Sequence, residues 1–413
     1  MSSSDPHAAL LARLRTTVAR IEARTPVDRD RAIDGLRALA LLSVPTGHWL
    51  LGAFTLDPDG GLHIASPLSH LGFFAPLSWV LQMLGIFFLV GGHSSALSLC
   101  RSTQRGESTA VWLRRRLARL GRPVVGVTAG WAVLLPVLYA AGVPAATLRT
   151  CVVLVVQPLW FIGVYMVLTA LTPVCVRASG ALGGWSAVPL LVSVAVVDLL
   201  RYGPWAGSVP PWLGMLNIGP GWLFAYQLGV SWGQGRLSRR GARLLLLGGG
   251  ALFALLLLAF HYPASMVGVP DRVRTNSHPP SLLVLALACV QCGAAMLLSD
   301  RLSVLLRRPA LWAPVVVINL SAMTIFCWHQ TALLSVAVPS TALGGIPGLT
   351  TPPDSLLWVL ARLVWLPVIT AALLGIGLLN HRVAGPWTSR TRARRMSAVA
   401  LSVAFAVYAF AVV

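Results

Sequence analysis

Arg31-Ala-Ile-Asp34-Gly-Leu-Arg37-Ala-Leu-Ala-Leu-Leu-Ser-Val-Pro45-Thr-Gly-His48 carries a charged entry straight into an apolar run that holds one imidazole. Arg37 and His48 are eleven residues apart, about three helical turns, so both side chains fall on one face roughly 16 Å apart along the axis. With Arg37 at a membrane surface, His48 is expected near the middle of a hydrocarbon core about 30 Å thick. A histidine at that depth must face protein or water, because exposure to lipid is costly. Pro45 removes a backbone hydrogen bond and is expected to kink the helix beside it.

The rest of the chain shares this apolar character. Of its 413 residues, 56% are hydrophobic and 11% charged, and the mean hydropathy is +0.76. A soluble domain carries about 25% charged residues. The chain therefore reads as all-α, a polytopic transmembrane helical bundle. A net charge of +20 comes from 32 arginines and no lysine. These arginines sit between apolar runs, which is a membrane-topology pattern; lipids, not nucleic acid, are the expected partners. The six cysteines lie in or beside apolar runs and imply no secreted disulfide framework. Cys289-Val-Gln-Cys292 has metal-type spacing, but a zinc site needs further ligands, so no metal is expected.

Ten core spans are expected at 36–54, 77–99, 123–142, 152–174, 184–200, 211–231, 244–261, 280–299, 312–335 and 356–380, with an eleventh at 397–413. Arginines crowd alternate gaps, at 101–122, 177, 236–243, 301–308 and 382–395, and are sparse in the others. That alternation predicts a multi-pass protein of the cell inner (plasma) membrane with a cytosolic N-terminus. Residues 1–31 read as a basic segment, with Leu10, Leu11, Leu14, Val18 and Ile21 at helical spacing for an amphipathic helix on the inner leaflet. Residues 32–380 form the transmembrane domain; 381–413 add a basic cytosolic loop and the extra span.

Further polar groups interrupt the apolar runs. Gln82 and His93 are spaced for one helical face, and His329 closes Thr324-Ile-Phe-Cys-Trp-His329. By depth, His93, His48 and His329 are expected at inner, middle and outer levels of a polar shaft, since intramembrane ionisable groups are functional candidates. Arg115, Arg116, Arg119 and Arg122 step by three and four along one helical face. Guanidinium forks bind phosphate bidentately, so the stripe suits a phosphorylated cytosolic cosubstrate; lipid phosphate and topology are its other readings. Trp160, Tyr165, Asp198 and Asn217, with an irregular loop at 262–280, are expected to form an acceptor pocket and its lid.

At these residues the chain resembles the acyltransferase 3 family of integral membrane acyltransferases, with similarity to its actinobacterial members. The resemblance rests on Asp34-Gly-Leu-Arg37 with His48, Phe87-Phe-Leu-Val-Gly-Gly, Arg116-Leu-Ala-Arg119, Pro158-Leu-Trp160 and Cys327-Trp-His329-Gln330. It implies ten core helices and transfer of an acyl group, usually acetyl from acetyl-CoA, to a hydroxyl of a sugar, envelope glycan or natural product. It also implies active-site roles for Arg37 and His48 and donor handling by Arg116 and Arg119. Many relatives carry a glutamate where this chain has Tyr165.

A neutral imidazole suits removal of a hydroxyl proton, so His48 is the expected base. Arg37 or Asp34 is expected to orient the polar entrance, with Arg115, Arg116 and Arg119 on acyl-CoA phosphates. His93, Trp160, Tyr165, Asp198, Asn217 and His329 are the expected acceptor contacts. Two other classes compete. One is a membrane enzyme for an isoprenoid or lipid, such as a cyclase with Asp198 as acid. The other is a transporter or flippase, which the absence of a visible inverted repeat disfavours.

Overall fold

The computed structural model describes residues 6–205, 208–270, 274–382 and 392–412. Asp271 and Arg272 of the expected lid and Arg390 of the basic loop lie outside the described residues, as do the side chains of Leu10, Leu11 and Leu14. The chain folds as an all-α polytopic bundle. Among the described residues, eight segments are long and apolar enough to cross a membrane.

The first segment forms helix α1 (Pro6–Ala23). Its C-terminal end is tied down, because Glu22 pairs with Arg31 at 2.6 Å and Thr25 accepts the Trp312 indole N–H at 2.8 Å. Asp30 then caps α2 (Arg31–Leu51) by accepting from the Ile33 amide. This cap starts the helix five residues earlier than expected. Arg37 therefore lies in the second turn of α2, and His48 falls in its last turn.

A short antiparallel hairpin follows, β1 (Ala53–Leu56) with β2 (Leu62–Ala65). Neither strand has an alternating pattern that announces it. Two side chains of α6 (Ala145–Val156) hold it: Thr147 accepts from the Leu62 amide and Thr150 donates to the Leu62 carbonyl.

Several expected single spans are broken. The second divides at Gln82–Met83 into α3 (Ala75–Leu81) and α4 (Leu84–Gln104). Gln291 satisfies the break by donating to the carbonyls of Trp79 and Gln82, at 3.1 and 2.9 Å. Gln82 and His93 therefore belong to different helical segments, which removes the shared face expected of them. The fourth divides at Gln157–Pro158 into α6 and α7 (Leu159–Leu182), where Pro158 has no amide hydrogen to give. The ninth divides at Ser321 into α12 (Pro309–Leu320) and α13 (Ala322–Ser340). The remaining columns are α5 (Thr109–Ala140), α8 (Val188–Tyr202), α9 (Ile218–Gly233), α10 (Arg239–Leu258), α11 (Leu282–Leu305), α14 (Leu356–Arg382) and α15 (Arg392–Val412). The last lies against α5, with the Thr128 and Ser402 hydroxyls 2.7 Å apart.

Helices α4 and α9 cross backbone to backbone. A Cβ at Gly92 would collide with the Tyr226 carbonyl, and one at Gly229 with the Leu89 carbonyl. Small residues are what permit such close approach between helices in a membrane.

Candidate active site

The last turn of α2 points His48 into a cavity of about 450 Å³. Its walls include Phe326 and Gln330 of α13, Trp160 and Phe161 at the start of α7, Gln82 at the α3–α4 break, and His278 of the 262–280 loop. The Gln330 amide nitrogen lies 3.1 Å from His48 Nδ1; donating there, it places the imidazole proton on Nε2. The amide reversed end for end accepts Nδ1–H instead and leaves Nε2 with its lone pair; the two orientations have the same shape.

His329 stands beside His48, ring centroids 5.1 Å apart. The outer level expected for it in a shaft is therefore corrected, since α2 and α13 bring the two imidazoles to one level. His329 is fully buried. Its Nδ1 lies 2.8 Å from the Phe326 carbonyl, so it donates there, and Nε2 has no partner among the described residues. Trp49 donates its indole N–H to the His329 carbonyl at 3.1 Å, a second tie between the helices. Arg362 of α14 holds the end of α2 by donating to the Gly52 carbonyl at 2.7 Å.

A separate polar cluster lies toward the arginine-rich end. Asp34 receives Arg29 at 2.5 Å and Arg37 at 3.0 Å. Arg37 also donates to the Ser94 hydroxyl at 2.6 Å, and Arg116 donates to the Ser94 carbonyl at 3.1 Å. Ser94 is thus the meeting point of two guanidiniums, a role its place beside His93 did not signal. Arg116 also lies over the Trp112 ring, 5.4 Å from its centroid. The expected stripe is split: Arg119 is exposed, and Arg115 turns to Glu107 at 2.8 Å. The Ser102 hydroxyl, and then Arg115, hold the Glu107 carboxyl down at about 2.

His93 is away from the cavity, packed on Trp232 at 4.9 Å between centroids. Tyr165 sits between the two sites, in an aromatic layer with Phe87, Phe161 and Tyr226 and against Gly91. Asp198 and Asn217 do not line the cavity. Asp198 accepts from Asn217 at 3.0 Å, the Tyr262 hydroxyl at 3.0 Å and the Leu282 amide at 2.7 Å, and so anchors both ends of the 262–280 loop. Of the expected acceptor contacts, Trp160 faces the cavity and His329 backs its wall. Gln330, Gln82 and His278 stood in stretches already singled out, but only the packing gives them a place in the site.

A helical membrane bundle holding an imidazole over an apolar cavity, with guanidiniums from α2 and α5 converging on Ser94, defines a class of membrane enzyme. A family model described as an acyltransferase domain matches residues 30–381, and the chain belongs to the acyltransferase 3 family. It is a membrane acyltransferase, and α15 lies beyond the matched residues. No curated protein and no solved structure matches the chain.

Proposed function

We propose that this acyltransferase moves an acyl group, acetyl in the simplest case, from acyl-CoA to a hydroxyl of a small-molecule or glycan acceptor in the His48 cavity. One observation carries this reading. Helix α2 presents His48 to the cavity and, about three turns earlier, presents Arg37 to Ser94, where Arg116 also arrives. Guanidiniums suit the donor's phosphates at the arginine-rich, cytosolic end. The imidazole suits the acceptor hydroxyl.

With Gln330 accepting Nδ1–H, His48 Nε2 takes the hydroxyl proton. The alkoxide oxygen bonds to the thioester carbonyl carbon, the carbon–sulfur bond breaks, and the thiolate recovers the proton from the imidazolium. Because donor cluster and cavity lie roughly 16 Å apart along α2, the donor's extended arm must pass the aromatic layer around Tyr165. The same separation favours a second course. Nε2 bonds to the thioester carbonyl carbon, the carbon–sulfur bond breaks and the thiolate takes the Nδ1 proton; the acceptor hydroxyl later attacks the acyl carbon, the carbon–nitrogen bond breaks, and the hydroxyl proton passes to the released imidazole.

The test is thiol release from acetyl-CoA by purified protein in nanodiscs supplied with candidate alcohols, with mass spectrometry of the products. Acyl esters formed by the wild type and lost in His48→Gln are expected. Esters formed equally by both would overturn the assignment.

A further inference from the structure

We infer that the acceptor is an uncharged, predominantly apolar alcohol, of the kind that presents one or two hydroxyls on a hydrocarbon skeleton, and is not an anionic or heavily hydroxylated glycan. The inference rests on the acyl-transfer reading of the same cavity and narrows it.

The walls are the argument. Among the described residues lining the cavity there is no carboxylate and no guanidinium; the only ionisable side chains are the imidazoles of His48 and His278. Among these described residues an anionic acceptor meets no fixed countercharge, and burying it unpaired is costly.

The neutral polar groups are mostly committed already. Ser43 donates to the Ala40 carbonyl, and Ser66 donates to the Leu51 carbonyl while accepting from the Leu68 amide. Ser277 donates to the Met266 carbonyl and accepts from Gln82. Gln330 is engaged with His48. What remains for a ligand is His48 Nε2 and the second amide atom of Gln330 in the depth, with His278 and Gln157, both exposed, towards the solvent-accessible part of the wall.

Elsewhere the ligand meets Trp160, Phe161, Phe326, Leu154, Leu333 and Val267. A sugar would lose water from several hydroxyls with few partners to replace it, whereas a hydrocarbon skeleton gains from leaving water. The surface thus selects for apolar area with a hydroxyl at one end.

The experiment measures binding without the donor, by thermal shift of the full chain in nanodiscs, using cyclododecanol, methyl β-D-glucopyranoside and D-glucuronate. Wild type is compared with Val267→Glu and Val267→Leu. Val267 belongs to the loop wall, so a charge there changes the lining without entering a helix core, and Val267→Leu controls for disturbance of the loop.

Cyclododecanol is expected to bind wild type at least tenfold tighter than either sugar. It should weaken by tenfold or more in Val267→Glu and be retained in Val267→Leu. Equal or tighter binding of the glucoside or glucuronate would overturn the inference, as would cyclododecanol binding indifferent to Val267→Glu. Selective cyclododecanol binding with no thiol release from acetyl-CoA would leave the acceptor class standing and sink the acyl-transfer reading, so the two failures are distinct.

Discussion

His48 and His329 stand side by side, from helices α2 and α13, with ring centroids 5.1 Å apart and planes inclined by 43°. One ring reaches the cavity and is held at Nδ1 by Gln330; the other is fixed by the Phe326 carbonyl. The two helices are further joined where Trp49 donates to the His329 carbonyl. The imidazole proposed as base is thus braced from the neighbouring helix on either side of its ring.

Replacing His48 separates chemistry from packing. His48→Gln keeps a hydrogen-bonding side chain beside Gln330 yet cannot take a proton from an alcohol. Its turnover is expected to fall by about 100-fold or more, the range for a positioned base, with little change in melting temperature. A purely structural histidine predicts the reverse, near-normal turnover in Gln and loss of stability in His48→Ala.

The arginines should rank in donor binding. Arg116 reaches Ser94, Arg119 is exposed and Arg115 is paired with Glu107. Arg116→Gln should weaken acetyl-CoA most, by about 1.5–3 kcal/mol for a lost charge-assisted hydrogen bond. Arg119→Gln should cost less and Arg115→Gln least. Calorimetric titration of the three variants checks the order, and equal losses would assign the whole stripe to one phosphate surface.

Asp198 offers a stability prediction. Asp198→Ala strands the Asn217, Tyr262 and Leu282 donors in the interior. A loss of about 1–3 kcal/mol is the scale for each buried donor left unsatisfied. The isosteric Asp198→Asn should be milder and should leave the acceptor KM unchanged. A large KM increase in that variant would return Asp198 to the acceptor site.

Gly92→Ala places a methyl group against the Tyr226 carbonyl, a backbone atom with no rotamer to yield. Folding is expected to suffer by at least the roughly 1–3 kcal/mol of an overpacked core. Fluorescence-detected size exclusion should show loss of the monodisperse protein, while Gly126→Ala, at a position with open space around its would-be Cβ, should behave as wild type.

Orientation is testable by labelling. In a cysteine-free background, Arg105→Cys and Arg240→Cys should react with an impermeant maleimide only after the membrane is opened. Reaction in intact cells would invert the topology.

The helical class was legible because apolar runs and arginine clusters are one-dimensional signals. The α2 motif was legible too, since Arg37 and His48 lie on one helix with fixed spacing. What needed the structure was everything set by contacts across helices. Gln330 reaches His48 from α13, and Ser94 gathers Arg37 from α2 and Arg116 from α5. Asp198 shows the converse: a buried acid read as a site residue, whose three donors from separate segments make it a loop anchor. The breaks at Gln82 and Gln157 were hidden for a related reason. At the first, the partner that satisfies the freed carbonyls, Gln291, is distant in sequence.

The glycine crossing of α4 and α9 has a mechanical consequence. Two helices in main-chain contact cannot slide or roll past each other without overlap, so they behave as a single stiff beam. Ser94 rides on that beam, and Gln82 of the cavity wall adjoins its other end. A displacement imposed at the arginine cluster is therefore transmitted along α4 towards the cavity instead of being absorbed within the pair. The compliance needed to admit an acceptor falls to the parts of the wall outside the beam: the 53–65 hairpin and the wall residues Val267–Pro270.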